Sequence, residues 1–176
     1  MADFNKAFEA MLAREGGYGN DLDDPGGETY KGVARKMHPE WAGWKLIDTM
    51  KEYSNFPENL DSNPGIQQAI FNFYQSEYWV PIKGDLIASQ KMATSIFDFA
   101  VNAGIGTSSA LAQKVVGVDA DGIIGKNTVA RLNIFDPSHF VSAFAVEKIR
   151  RYIEICKKRP ESKKYLLGWA DRAVNY

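Results

Sequence analysis

Glu15-Gly16-Gly17-Tyr18-Gly19-Asn20-Asp21-Leu22-Asp23-Asp24-Pro25-Gly26-Gly27-Glu28-Thr29-Tyr30-Lys31-Gly32-Val33 interrupts a chain that is otherwise patterned for helices. Carboxylates and glycines dominate this stretch, so it can bury little apolar surface and packing does not account for it. Just upstream, Phe4, Ala7, Phe8, Met11 and Leu12 fall at i, i+3, i+4, i+7 and i+8. That is one apolar stripe, and it predicts a helix over 3–15 with Asp3 as its cap. Glu15 lies four residues after Met11 and three after Leu12, so the helical phase places it on the apolar side. Gly16-Gly17 then stops the helix. Asp24-Pro25-Gly26-Gly27 is a turn signal, and Thr29, Tyr30 and Val33 favour extended structure. Together they predict a small irregular β-hairpin lobe after the first helix.

Outward from that lobe the chain reads as mainly α. Residues 33–38 are expected to start a short helix ending at His38-Pro39, and residues 41–61 to hold short helical pieces. Asp61-Ser62-Asn63-Pro64 opens a helix whose stripe is Ile66, Ile70, Phe73, Tyr74 and Tyr78, ending at Pro81. A helix over 89–103 carries Met92, Ile96, Phe99 and Ala103, broken by Gly104 and Gly106. Helices over 107–116 and 126–133 flank a loop from Gly117 to Gly125. Asp136-Pro137-Ser138 opens the longest helix, to about Lys158, and Leu166, Leu167, Trp169 and Ala173 mark a last one. No repeat or linker is visible, so a catalytic region over 1–88 and a helical region over 89–176 are expected to share one globular unit.

Composition narrows the function classes. With 45% hydrophobic residues the 176-residue chain is ordinary for a globular protein. The balance of 21 basic and 22 acidic residues speaks against a nucleic-acid partner, which selects for basic excess. A lone Cys156 cannot form an internal disulfide and reads as a small apolar residue on a helix face. Two histidines, His38 and His139, and one cysteine are too few for a zinc site. Asp119-Ala120-Asp121-Gly122 looks like the opening of a calcium loop, but the twelfth position is Ala130 where a bidentate Glu is required. No metal or organic cofactor is implied. No window approaches the ~20 apolar residues that span a bilayer.

The chemistry-bearing candidates each admit two readings. Burial on the apolar stripe and the negative end of the helix dipole would both keep Glu15 protonated, as a general acid requires. The alternative is an ordinary surface acid that snorkels outward. Asp21, Asp23 and Asp24 could supply a second carboxylate, with Thr29 placing a water, or they could serve local turns. Asp98 and Asn102, at i and i+4, either line a cleft or buttress neighbouring backbone. Tyr18 and other aromatics could stack on sugar rings or be core.

The motif Glu15-Gly16-Gly17-Tyr18, followed by Asn20-Asp21, Asp24-Pro25-Gly26-Gly27, Thr29 and Gly32-Val33, resembles the signature of the glycoside hydrolase family 108 N-acetylmuramidases. These are lysozyme-like proteins of phages and bacteria, some labelled secretion activators. The resemblance continues through Phe97-Asp98-Phe99-Ala100-Val101-Asn102-Ala103-Gly104. It then extends over Val118 to Thr128, which looks like the family's peptidoglycan-binding half. Leu22 departs from the proline that family members often carry there, while the spacings from Glu15 to Asp24 and Thr29 are kept. The resemblance implies a lysozyme-like fold and cleavage of the β-1,4 bond between N-acetylmuramic acid and N-acetylglucosamine. Glu15 would be the acid. By analogy with phage-type lysozymes, Asp24 would stabilise charge or activate water, and Thr29 would help place it. Tyr18, Asn20, Asp98 and Asn102 are the expected substrate contacts, and peptidoglycan glycan strands the partner of a monomeric enzyme. With no Sec-type leader in view, the chain is expected to stay cytoplasmic until released and to act in the periplasm or at the cell wall, as an endolysin of a phage or prophage would. Rivals are a non-catalytic wall-binding or secretion-associated protein on the same fold, and a murein peptidase lacking any visible metal or Cys/His site.

Overall fold

The computed structural model describes residues 1–13, 15–21 and 26–175. Its elements run α1 (Phe4–Leu12), β1 (Tyr18–Asn20), β2 (Glu28–Tyr30), β3 (Val33–Ala34), α2 (Gly43–Met50), α3 (Pro64–Tyr74), α4 (Gln90–Ala103), α5 (Ile105–Val116), α6 (Lys126–Ile134), α7 (Pro137–Lys158) and α8 (Leu166–Val174). The fold is the expected mainly α, lysozyme-like one, with its small sheet directly after the first helix. The chain divides into two compact units, Phe8–Glu77 and Met1–Ala7 with Tyr78–Tyr176. Among the described residues, no helix is long and apolar enough to cross a membrane.

In the unit Phe8–Glu77, α1 ends earlier than its periodicity predicts. Its last residue is Leu12, and the Glu15 amide donates to the Leu12 carbonyl at 3.2 Å. That i to i−3 bond is a tight exit turn, after which Gly16 and Gly17 give the helix no reason to continue. Glu15 therefore sits beyond the helix, half-buried, rather than on its last turn.

The sheet is antiparallel in the order β1-β2-β3. Tyr18 pairs with Tyr30, Gly19 with Thr29 and Asn20 with Glu28; Thr29 then pairs with Ala34 and Tyr30 with Val33. Between Tyr30 and Val33 stand only Lys31 and Gly32, with φ of 45° and 82°. Two successive left-handed residues define a type I′ turn, whose twist matches the strands it joins. That turn overrides the short helix expected over 33–38. It returns the chain along β2 as a third strand and buries Val33, and only a tight turn follows, in which Met37 and His38 both donate to the Ala34 carbonyl.

The remaining elements support this sheet. Asn63 caps α3 by accepting from the Ile66 amide at 3.1 Å, with Pro64 in the first turn as expected. Ile66, Ile70 and Tyr74 on α3 are buried, as are Trp44 and Ile47 on α2, Met11 on α1, and Tyr30 and Val33 on the sheet. Phe8 meets Phe71 edge-on at 5.2 Å. After Tyr74 the helix widens into a π turn over Gln75–Trp79 instead of running on regularly to Pro81.

The second unit is held by helix packing. Ser89 and Asp136 cap α4 and α7 by accepting from the amides of Met92 and His139. Gly104, at φ 86°, alone separates α4 from α5; Gly106 lies inside α5 and breaks nothing. Rings fill the interior: Phe4 against Trp79 and Phe97, Phe99 against Phe144, and Phe140 stacked on Phe144 at 5.2 Å. Lys148 is buried among them, its ammonium 4.8 Å from the Phe144 ring centre and donating to Ser95. Cys156 is buried, in line with its reading as an apolar residue. The loop after α5 is folded by Gln113, which accepts from the Gly122 amide and donates to Asp121 and the Ile123 carbonyl. Asp121 thus serves a turn, and the bond from Gln113 draws its carboxyl below the usual range.

Candidate active site

Glu15 is placed by the turn of β2 and β3. A methyl group added to Gly32 would lie 2.8 Å from Glu15 Oε2 and 2.6 Å from the Tyr74 hydroxyl. Both oxygens therefore press against the bare backbone of Gly32, which only glycine allows at that approach and that φ. Tyr74 donates its phenolic proton to the Lys31 carbonyl at 2.7 Å, and the Lys31 amide donates to the Gly17 carbonyl at 3.2 Å. The segment leaving Glu15 and the tip of the turn are thereby tied into one frame.

The turn tip is itself braced. The Lys31 ammonium donates to Gln67 at 2.9 Å and lies 2.9 Å from Asp61, which also accepts from the Tyr30 hydroxyl. Gln67 donates in turn to that hydroxyl and to the Leu60 carbonyl. Burial is the largest influence and works against the Lys31 charge, but the bonds and charge interactions with Asp61 and Tyr30 together outweigh it and raise its pKa. The bond from Lys31 holds the Asp61 carboxyl below its ordinary value. This is how a lysine is kept in the left-handed conformation, which costs a side-chain-bearing residue roughly 1–2 kcal/mol.

A second network runs along the sheet. Glu28 accepts from Arg35 at 2.6 Å, pairs with Lys51 at 2.7 Å, and accepts from the Tyr18 hydroxyl at 3.0 Å. Arg35 and Lys51 both extend to Asp48. Burial pushes the Glu28 carboxyl up, and the bonds from Lys51, Arg35 and Tyr18 together pull it below the usual range. Asp48 is drawn well below it, chiefly by Arg35. Tyr18 is the converse: burial, then the bond to Glu28, raises its phenol.

The residues named from the sequence separate by role. Tyr18 is occupied by Glu28 and by an edge-on contact with Phe56 at 4.7 Å, so it braces the sheet. Asn20 is exposed at the end of β1. Thr29 is half-buried opposite Gly19; a methyl there would lie 3.3 Å from its hydroxyl oxygen, so the glycine leaves that face of the strand open beside it. Asp24 lies outside the described residues. Asp98 and Asn102 belong to the other unit and are bonded together, the Asn102 amide donating to the Asp98 carbonyl at 2.7 Å. Asp98 is 2% exposed and paired with Arg172 at 2.9 Å, which is a buttressing role.

Three features escaped the sequence reading: Gly32 as the floor under Glu15, Tyr74 beside it, and the Glu28 network. Lys31-Gly32 lacks the Asn-Gly or Asp-Gly pairing that marks a two-residue hairpin, so Gly32 between two β-formers was its one local signal. Tyr74 gave no signal beyond its place on an apolar stripe. A hollow of about 830 Å3 between the Met37–Leu46 segment and α3 is lined by His38, Trp41, Gln68 and Asn72 among others. None of Glu15, Tyr18, Asn20, Thr29, Asp98 and Asn102 lines it, and size alone does not make it the reaction site.

Comparison with known proteins identifies the family of the chain. No curated protein matches the chain. The solved structure of Brucella abortus SagA shares the fold, with a TM-score of 0.60 at 23% identity over 97% of this chain and 93% of that one. Residues 107–174 match the family described as Predicted Peptidoglycan domain. Residues 8–104, which carry Glu15, the type I′ turn and Tyr74, match Glycosyl hydrolase 108, and the chain belongs to that glycoside hydrolase family.

Proposed function

We propose that the protein is an N-acetylmuramidase, hydrolysing the β-1,4 bond between N-acetylmuramic acid and N-acetylglucosamine in peptidoglycan. The family membership supports glycoside hydrolysis, and the match over residues 107–174 supports peptidoglycan as the substrate. The observation that carries the reading is the placement of Glu15: a half-buried carboxyl, fixed over Gly32 beside the Tyr74 hydroxyl.

In this reading Glu15 protonates the leaving glycosidic oxygen, while positive charge develops on the departing sugar ring. Asp24 faces that charge or activates the attacking water, and Thr29 helps place the water. Tyr74 and Gly32 position Glu15. Tyr74 commits its proton to the Lys31 carbonyl, so towards the site its oxygen can only accept.

The experiment is lysis of purified sacculi, with mass spectrometry of the products. The native chain is expected to release disaccharide peptides with intact stems and a muramic acid reducing end. Glu15→Gln removes the acid and should lower the rate by about 10²–10⁴-fold, the usual worth of general acid catalysis. Undiminished lysis by that variant would remove Glu15 from the role. Sacculus binding by the native chain without any new reducing ends would instead favour a wall-binding protein.

A further inference from the structure

We infer that the helical unit carries a carboxylate-binding site for the stem peptide of peptidoglycan, in the hollow where α7 and α8 face the end of α4. The inference rests on the peptidoglycan reading above and says where that polymer is held. The hollow has a volume of about 460 Å3 and is lined by Asn102, Arg151, Tyr152, Trp169 and Arg172, with Gly168 at its edge.

Its central feature is Arg151. The Nε of this side chain is buried without a hydrogen-bond partner. Buried donors in native proteins are nearly always satisfied, and an unsatisfied one on a guanidinium is costly. That nitrogen is shielded as the side chain stands, so a carboxylate entering the hollow would meet the terminal nitrogens of the same guanidinium, whose fork matches it with two parallel bonds, and a turn of the side chain towards it would give Nε a partner as well. The neighbouring cation does not compete for this role. Arg172 is already matched by the buried Asp98, so the hollow retains the positive charge of Arg151.

The other walls suit a peptide. Asn102, an exposed residue, uses its amide nitrogen on Asp98, which leaves its carbonyl oxygen to accept from a peptide N–H. Tyr152 and Trp169 stack at 5.1 Å and 29°, giving an apolar wall for aliphatic side chains such as alanine methyls. Stem peptides of peptidoglycan present all three elements: free carboxylates, amide N–H groups and small aliphatic side chains. A neutral glycan presents none of the first.

The test uses the full chain and a soluble disaccharide-tetrapeptide of the product type. That ligand contains no bond of the kind cleaved in the proposed reaction, so its binding is read independently of Glu15. Calorimetric titration should show binding that weakens by about tenfold or more in Arg151→Leu, the worth of a charge-assisted bond, with partial recovery in Arg151→Lys. Native protein should show the same loss towards the ligand with its carboxylates methyl-esterified, which needs no variant to fold. Equal affinity for the free and esterified ligand would overturn the proposal. So would Arg151-dependent binding of the peptide-free disaccharide as tight as that of the complete ligand, since the carboxylate would then be the lactyl group of the sugar.

Discussion

The sheet of the first unit and the helix α7 of the second are stabilised by opposite means. Around β2 the polar groups are tied to one another: Glu28 to Arg35, Lys51 and Tyr18, and Lys31 to Asp61 and Gln67. Around α7 the interior is rings, Phe99, Phe140 and Phe144 packed together, with the aliphatic and ammonium parts of Lys148 among them. The first arrangement fixes directions, since hydrogen bonds are directional, and contributes modest net energy. The second contributes burial energy and is nearly indifferent to direction. The carboxyl proposed for chemistry sits in the first, where its heading can be set to a fraction of an ångström by a turn and a phenol.

That contrast orders a series of substitutions. Phe144→Ala should have the largest effect on stability, about 3–5 kcal/mol for a buried aromatic, read as a fall in the midpoint of chemical denaturation. Gly32→Ala comes next, at roughly 1–3 kcal/mol for a side chain forced to positive φ against two oxygens. It should also lower lysis far more than its stability loss explains, because the added methyl meets the Glu15 carboxyl itself. If Gly32→Ala lysed sacculi at the native rate, the turn would not be what holds Glu15.

Glu28→Gln is expected to cost about 1–2 kcal/mol at neutral pH, since both its cationic partners are partly exposed and screened. Its pH signature is more telling. The folded-state pKa of Glu28 is depressed, so its contribution is present above the ordinary glutamate value of about 4.3 and is lost as pH falls towards the folded value. Native protein should therefore lose stability below about pH 4, and the Gln variant should show a flatter acid limb in thermal melts. Parallel acid limbs would break the contrast. Asp136→Ala, which removes only the α7 cap, should cost about 1 kcal/mol and leave lysis unchanged.

The helices were legible because their cause is local. Apolar spacing and capping residues such as Asn63, Ser89 and Asp136 stand within a few positions of what they determine. The general place of Glu15 was legible too, from the glycines after it. Its exact setting was not, for the helix ends at Leu12 on a tight turn that periodicity does not encode. The third strand was hidden because Lys31 is an uncommon residue for a left-handed position, and its reason lies thirty residues on, at Asp61. Tyr74 and Arg172 act on Lys31 and Asp98 across 43 and 74 residues. No window of sequence joins such pairs, and only packing brings them together.

Lys31 also sets a limit on how this turn can vary. Asparagine or glycine at position 31 would relax the backbone, and either would delete the ammonium that Asp61 and Gln67 hold. Ease of the main chain and bracing of the tip thus ask for different residues at a single position. Directed evolution for thermal tolerance would meet that conflict here early. Variants that relieve it would need a second change at Asp61 or Gln67, so these three positions are expected to vary as a group.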